Sequence, residues 1–210
     1  LVGGDTDRTP GPITIAVTAL GEIAVGKTIR RGGARAGETV FVTGTIGDAA
    51  LGLMALRGSL ADLAPAASGF LADRYRLPRP RVALGPRLVG VATASIDVSD
   101  GLVADLRHLC EVSGLGGVVE AARVPLSPAA HEAVAGERER LLAAITGGDD
   151  YEILFTAPRS AAESLARLAA EIGVPITAIG EMVSAPRPAV TVRDENGRPL
   201  PLAAEGWTHF

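Results

Sequence analysis

The chain has 210 residues, a formal net charge of −4 and a hydrophobic content of 47%. This composition is typical of a folded globular protein, and the length allows one large domain or one domain with part of another. The acidic balance argues against a nucleic-acid partner, and the absence of an apolar run of about 18 residues argues against a membrane-spanning helix. Because no signal-peptide pattern is found, we expect a cytoplasmic protein.

Strand-like and helix-like patterns alternate along the chain, which predicts an α/β fold. The predicted strands cover residues 13–20, 39–43, 94–99, 117–120, 151–156, 176–183 and 189–193. The predicted helices cover residues 47–56, 66–76, 82–91, 101–111, 129–140 and 160–172. We interpret 117–120 as an edge strand. The single Cys110 lies on the apolar face of a predicted helix, which favours a core thiol over a nucleophile.

Residues 21–28 read Gly-Glu-Ile-Ala-Val-Gly-Lys-Thr and fit the G-x-x-x-x-G-K-[ST] pattern of a phosphate-binding P-loop. A predicted strand precedes the motif, as a P-loop requires. The next nine residues, 29–37, contain three glycines and no apolar stripe, so they do not predict the helix whose N-terminus would hold the phosphates. We therefore interpret the match as chance, and keep a P-loop nucleotide hydrolase that uses Lys27 as the alternative function.

Residues 94–101 read Ala-Ser-Ile-Asp-Val-Ser-Asp-Gly and are the most informative part of the chain. Apolar and polar residues alternate, which places Asp97 and Ser99 on one face of a strand. Asp100 follows at a predicted helix start, where Asp is a favoured residue. Two carboxylates and a hydroxyl therefore converge, and Mg²⁺ prefers such oxygen ligands together with substrate phosphates. The structural alternative for the same residues is a helix cap in a solvated turn.

Six short motifs occur in order along the chain and together carry a family resemblance. They are Gly-Gly-Asp-Thr at 3–6, Arg-Gly-Gly-Ala at 31–34, Val-Thr-Gly-Thr-Ile-Gly-Asp at 42–48, Ile-Asp-Val-Ser-Asp-Gly at 96–101, Thr-Gly-Gly-Asp-Asp-Tyr-Glu at 146–152 and Gly-Trp-Thr-His-Phe at 206–210. In this combination the chain resembles the thiamine-monophosphate kinases. The wider group includes aminoimidazole ribonucleotide synthetase, selenophosphate synthetase and a hydrogenase maturation factor.

The resemblance implies ATP-dependent phosphorylation of thiamine monophosphate to thiamine diphosphate by a homodimer. The site residues it implies are Asp5, Asp97 and Asp100 for Mg²⁺, Gly4, Asp5, Arg31 and Ser99 for ATP, and Asp149 and Trp207 for the substrate. Phosphoryl transfer depends mainly on positioning and charge neutralisation. Because the acceptor is already a phosphate, we assign no general base and leave the catalytic residue unknown.

The resemblance also implies a domain organisation. Family chains carry an N-terminal ATP-binding domain before the Gly-Gly-Asp-Thr motif, so we expect residues 1–25 to be the last strand of that domain. Residues 26–210 would then form the C-terminal domain, a layered α/β/α structure with a mixed sheet, of the kind found in aminoimidazole ribonucleotide synthetase. Since such a chain holds only part of the ATP–metal site, a non-catalytic fragment that folds and binds ligand weakly is a third interpretation.

Some of these residues also have purely structural interpretations. Asp149 and Asp150 would suit a turn before the following strand, and Trp207 would suit an anchor that holds the chain end on the core. For the arginines around the proline-rich break at 77–80 we expect solvated side chains; these are Arg79, Arg81 and Arg87.

Overall fold

A mixed six-stranded sheet lies at the centre of the computed structural model, which describes residues 2–8 and 10–202. The strands are β1 (Thr39–Thr43), β2 (Ala94–Asp97), β3 (Gly116–Glu120), β4 (Ile153–Ala157), β5 (Ile176–Val183) and β6 (Val190–Arg193). Their order across the sheet is β2-β4-β1-β5-β3-β6. Neighbouring strands are antiparallel except for β3 and β6, which are parallel, so the predicted mixed sheet is confirmed.

Helices cover both faces of this sheet. They are α1 (Asp48–Leu56), α2 (Pro65–Arg76), α3 (Leu102–Ser113), α4 (Pro128–Val134), α5 (Arg138–Thr146) and α6 (Ala162–Ile172). The apolar face of α3 packs on one side of the sheet, and α6 packs on the other. A separate apolar cluster joins α1, α2 and α4 beside the sheet. The predicted layered α/β/α class is therefore confirmed.

The composition of β1 explains why it lies inside the sheet. Val40 and Val42 enter the core under α3, whereas Phe41 enters the core on the opposite face. Phe41 pairs in register with Phe155 of β4, and their stacked rings have centroids 5.4 Å apart. A β-branched and aromatic run that is buried on both faces is typical of a central strand.

Three predicted elements differ from the structure, one because of its neighbours in the sheet and two because of local glycine and proline residues. Strand β3 is not an edge strand, because β5 and β6 flank it. The helix predicted at 82–91 is reduced to a 3₁₀ turn at Gly85–Leu88, since proline lacks an N–H and glycine is a poor helix former. The single helix predicted at 129–140 is two helices, α4 and α5, separated near Gly136, whose φ of 74° is left-handed.

The strand predicted at 13–20 is also absent from the described structure, where these residues lie in neither helix nor strand. Their apolar side chains are almost fully exposed, with Ile13 at 93%, Ile15 at 83% and Val17 at 87%. Strand periodicity becomes a strand only when another strand provides hydrogen-bonding partners. Within the described residues no other strand pairs with this segment. The assignment of 1–25 to a separate domain stays a prediction.

As for membranes, none of the described helices combines the length and the apolar character that crossing a bilayer would require.

The packing of α3 generates a stability prediction with a matched control on the same helix. Leu109 is fully buried, whereas Val112, one turn further on, is 60% exposed. We expect Leu109→Ala to lower the free energy of unfolding by about 2–5 kcal/mol, because it leaves a cavity under the helix. Val112→Ala should change it by less than about 0.5 kcal/mol. Urea denaturation measures both, and equal losses would contradict the described orientation of α3.

Candidate functional site

The loop between β2 and α3 is organised by a carboxylate that sequence reasoning missed. Asp105, in the first turn of α3, is 2% exposed. One of its oxygens accepts the backbone N–H groups of Ser99 at 2.9 Å, Asp100 at 3.0 Å and Gly101 at 3.2 Å. Burial raises the pKa of Asp105 to about 6, although the N–H donors of Asp100 and Ser99 act in the opposite direction. The sequence did contain a signal for this role, because Asp105 is an acidic residue four positions after the predicted start of the helix.

The predicted metal ligands lie on the outer side of this loop. Alternation along β2 holds as expected: Ile96 and Val98 are buried, while Asp97 is exposed and Ser99 and Asp100 are half-buried. The carboxylates of Asp97 and Asp100 are both close enough to Asp105 to raise its pKa by repulsion. Asp97 and Asp100 therefore lie on the same junction between β2 and α3, while their joint binding of a metal stays a prediction.

A second loop, between α5 and β4, is joined to the first by backbone hydrogen bonds. The N–H of Asp149 donates to the carbonyl of Ser99 at 2.9 Å, and the N–H of Tyr151 donates to the carbonyl of Val98 at 2.8 Å. Gly148 makes this approach possible, because a Cβ there would lie 2.0 Å from the carbonyl oxygen of Ser99.

The two adjacent aspartates of the second loop have different environments. Asp149 is half-buried, and its Oδ1 accepts the hydroxyl of Tyr151 at 3.2 Å. Burial raises the pKa of Tyr151, and repulsion from Asp149, Asp97 and Asp100 raises it further. The structure thus brings the predicted substrate residue Asp149 to the predicted metal ligands.

Asp150 points the other way and is 1% exposed. Its two oxygens accept the N–H of Gly47 at 2.7 Å and the N–H of Ala49 at 3.1 Å, so it caps the N-terminus of α1 from about a hundred residues away in sequence. Burial raises the pKa of Asp150 to about 8 against these two donors. Asp150 therefore has a structural role, but at the N-terminus of a helix that sequence reasoning did not connect with it and not in the turn before β4.

The solvated interpretation of Arg81 is wrong. Its guanidinium forms a two-point ion pair with Glu152, and its side chain is only 17% exposed. Arg87 pairs with Glu171 at 2.8 Å, but both side chains remain largely exposed, so that arginine is on the surface as expected.

The N-terminal ATP-binding candidates are not assembled with these loops. Gly4 and Asp5 are exposed, and no hydrogen bond between described residues joins Asp5 to the loop of Asp97 and Asp100. Arg31 is exposed as well; it follows Arg30, whose carbonyl accepts the N–H of Ser95 at 3.0 Å beside β2. Trp207 lies outside the described residues.

The P-loop alternative is contradicted by the structure. A turn encloses Gly26, but no helix follows Lys27 before β1, so no helix N-terminus faces a phosphate there. Lys27 instead borders a cavity of about 680 Å³ that also includes Asp97. Its walls are mainly apolar and include Ile23, Ile29, Leu88, Ile96 and Ile153.

Side chains of the first loop and of the adjacent α3 fit a divalent cation. Asp100, Asp105 and His108 each offer a ligand atom, and these atoms lie within 4.8 Å of one another. Asp97 adds an exposed carboxylate at the end of β2. Carboxylate oxygens on a surface open to phosphates are what Mg²⁺ requires, so the residues present are compatible with it.

Comparisons with known proteins show the family to which the chain belongs. Residues 35–193 match the family described as AIR synthase related protein, C-terminal domain. The thiamine-monophosphate kinase of Salmonella typhimurium is 37% identical over 210 residues, which are 100% of this chain and 63% of that protein. The chain therefore spans less than two thirds of the length of this relative.

Solved structures show the same likeness. The thiamine-monophosphate kinase of Stenotrophomonas maltophilia K279a superposes with a TM-score of 0.75 at 36% identity, over 85% of this chain and 56% of that one. A structure described as "AaThiL complexed with AMPPCP and TMP" gives a TM-score of 0.70 at 31% identity, over 87% of this chain and 54% of that one. The sequence match, the mixed sheet and the two joined loops lead to one conclusion: the chain belongs to the AIR synthase related protein, C-terminal domain family.

Proposed function

We propose that the protein transfers the γ-phosphoryl group of ATP to thiamine monophosphate, giving thiamine diphosphate and ADP. The observation that carries the proposal is the backbone hydrogen bonding between the loop that bears Asp149 and the segment that bears Asp97 and Asp100. The names of the relatives support it, as does the nucleotide analogue and TMP in one of the similar structures. Because the chain spans only part of its relatives, we propose this activity for the intact gene product.

In this reaction a phosphate oxygen of thiamine monophosphate attacks the γ-phosphorus, and the bond to the β–γ bridging oxygen breaks. The attacking oxygen is already anionic near neutral pH, so the protein has no proton to remove. Its task is to bring two anionic groups together and to stabilise the charge that spreads over the transferred group.

We assign Asp97 and Asp100 to Mg²⁺ binding, with Asp5 as a further ligand from the N-terminal segment. Bound Mg²⁺ neutralises phosphate charge, which carboxylates alone cannot do. Gly4, Asp5, Arg31 and Ser99 are assigned to ATP, where the Arg31 guanidinium complements phosphate oxygens. For Gly4, Asp5 and Arg31 the support is the family resemblance, since the structure leaves all three exposed.

We assign substrate recognition to Asp149 and Trp207. The thiazolium ring of the substrate is cationic, and Asp149 offers a carboxylate held at the rim of the metal loop. Trp207 would stack on a substrate ring. We further propose a homodimer and a cytoplasmic location, and we propose that residues 1–25 belong to a separate ATP-binding domain.

The metal assignment predicts a loss of turnover. In the intact gene product, Asp97→Asn or Asp100→Asn should lower kcat roughly 100-fold, because each removes a negative ligand from the phosphate-binding cation. Steady-state rates at limiting and saturating Mg²⁺ measure the effect. Asp73→Asn, an exposed aspartate of α2, serves as the matched control and should keep the normal rate. Near-normal rates for both loop variants at limiting Mg²⁺ would contradict the assignment.

The substrate assignment predicts a selective change in KM. Loss of an aromatic stacking face costs on the order of 1 kcal/mol, so Trp207→Ala should raise the KM for thiamine monophosphate about fivefold and change that for ATP little. Trp207→Phe retains an aromatic face, so its KM for thiamine monophosphate should lie between the values of the wild type and of Trp207→Ala. If Trp207→Ala changes only the melting temperature, Trp207 anchors the chain end and does not bind substrate.

A further inference from the structure

A buried cluster of charges lies behind the second loop, on the side away from the proposed substrate. Glu152 is fully buried at the start of β4. Its carboxylate accepts two bonds from Arg81, one from Arg74 at 3.3 Å and one from the Thr43 hydroxyl at 2.6 Å. Gly44 leaves room for this arrangement, because a Cβ there would lie 2.1 Å from Oε1 of Glu152.

This cluster and the separate contacts of Asp150 with the start of α1 determine the direction of four consecutive side chains. Asp150 and Glu152 face inward, each held by its own buried partners, while Asp149 and Tyr151 face the rim of the metal loop. The two outward residues have left-handed backbones, with φ of 71° at Asp149 and 51° at Tyr151. Non-glycine residues rarely keep such conformations unless their surroundings impose them. The inward anchors impose them here.

Of the two arginines, Arg81 is the more specific anchor. Arg74 also lies 3.6 Å from Asp48, so it joins α1 to α2 as well as to the loop. Within the described structure the side-chain hydrogen bonds of Arg81 go to Glu152 alone. The planar guanidinium holds both carboxylate oxygens, which sets the orientation of Glu152 as well as its position.

We propose that Arg81 is a positioning residue for the substrate: through its two-point pair with Glu152 it holds the loop of residues 148–151, and thereby the carboxylate of Asp149, in the arrangement that binds thiamine monophosphate. The substrate part rests on the proposed function, because Asp149 is assigned to the substrate there. The mechanical part, that Arg81 holds the loop, rests on the contacts above and is independent of the activity.

The test is a double-mutant cycle in the intact gene product with Arg81→Met and Asp149→Asn. Because a misplaced recognition group weakens binding steeply, Arg81→Met should raise the KM for thiamine monophosphate roughly 10- to 100-fold, with a smaller change in the KM for ATP. In the Asp149→Asn background, Arg81→Met should raise the KM for thiamine monophosphate less than about twofold, because the group that Arg81 positions is already lost. A purely structural effect of Arg81 would be the same in both backgrounds, and that additive result would overturn the proposal.

Amide hydrogen exchange tests the mechanical part without activity. The amides of Asp149 and Tyr151 are bonded to the first loop, and in Arg81→Met they should exchange at least about tenfold faster. Amides of β5, on the far side of β1, should keep their normal rates. Arg87→Met is the matched control, because it removes an exposed ion pair with Glu171 and should leave the loop amides unchanged. Unchanged loop exchange in Arg81→Met would overturn the proposal.

A conservative variant covers the case in which Arg81→Met does not fold. Arg81→Lys retains the charge but cannot hold both oxygens in a planar fork, so it should fold and give intermediate values of KM and of loop exchange. Wild-type values of both in Arg81→Lys would overturn the two-point mechanism. If the wild-type enzyme does not phosphorylate thiamine monophosphate, the proposed function fails, and the exchange experiment still decides whether Arg81 holds the loop.

Discussion

Burial of two carboxylates, Asp150 and Glu152, is the constraint on which the candidate site depends. Each would be strongly unfavourable inside the protein without partners. Asp150 is compensated by two N–H groups at the start of α1, and Glu152 by Arg81, Arg74 and Thr43. These partners come from distant parts of the chain, so the loop that carries the two carboxylates can take only one position once the domain has folded.

The left-handed backbones of Asp149 and Tyr151 are a consequence of this constraint. Each such residue costs roughly 1–3 kcal/mol relative to an ordinary conformation. The buried contacts of Asp150 and Glu152 offset that cost, and the backbone hydrogen bonds to Ser99 and Val98 stabilise the segment further. The result is a half-buried carboxylate, that of Asp149, held on a short and well-braced segment. Such bracing is typical of groups that must meet a ligand in a defined orientation.

Sheet topology explains why the two loops meet. In the antiparallel pair of β2 and β4, Asp97 at the end of one strand is opposite Ile153 at the start of the other. The chain leaving β2 and the chain entering β4 therefore lie at the same edge of the sheet. Strand β2 is also the outermost strand of the described sheet on that side. Residues 27–31 pass beside it, which brings Lys27 to the cavity next to Asp97.

Much of this structure was determined by local sequence. The apolar alternation of 94–99, the β-branched run of 39–43 and the helical patterns of α2, α3 and α6 predicted elements within a few residues of those observed, because they depend on neighbours along the chain. The exposure of Asp97 between the buried Ile96 and Val98 was predictable for the same reason. Two predictions failed because the element depends on other strands: 13–20 lacks a partner strand within the described residues, and the position of β3 inside the sheet depends on β5 and β6. The helices predicted at 82–91 and 129–140 differ because of local proline and glycine residues.

The sequence by itself determined the fold class, the family resemblance and the candidate residues of the loop between β2 and α3. Only the tertiary structure separated Asp149 from Asp150, assigning one to the rim of the site and the other to the N-terminus of α1. Only the tertiary structure showed that Arg81, expected in solvent, pairs with Glu152, and that Asp105 organises the loop before α3. In each case the deciding interaction is the desolvation of a charged group, which depends on partners brought together by folding and leaves no periodic signal in the sequence.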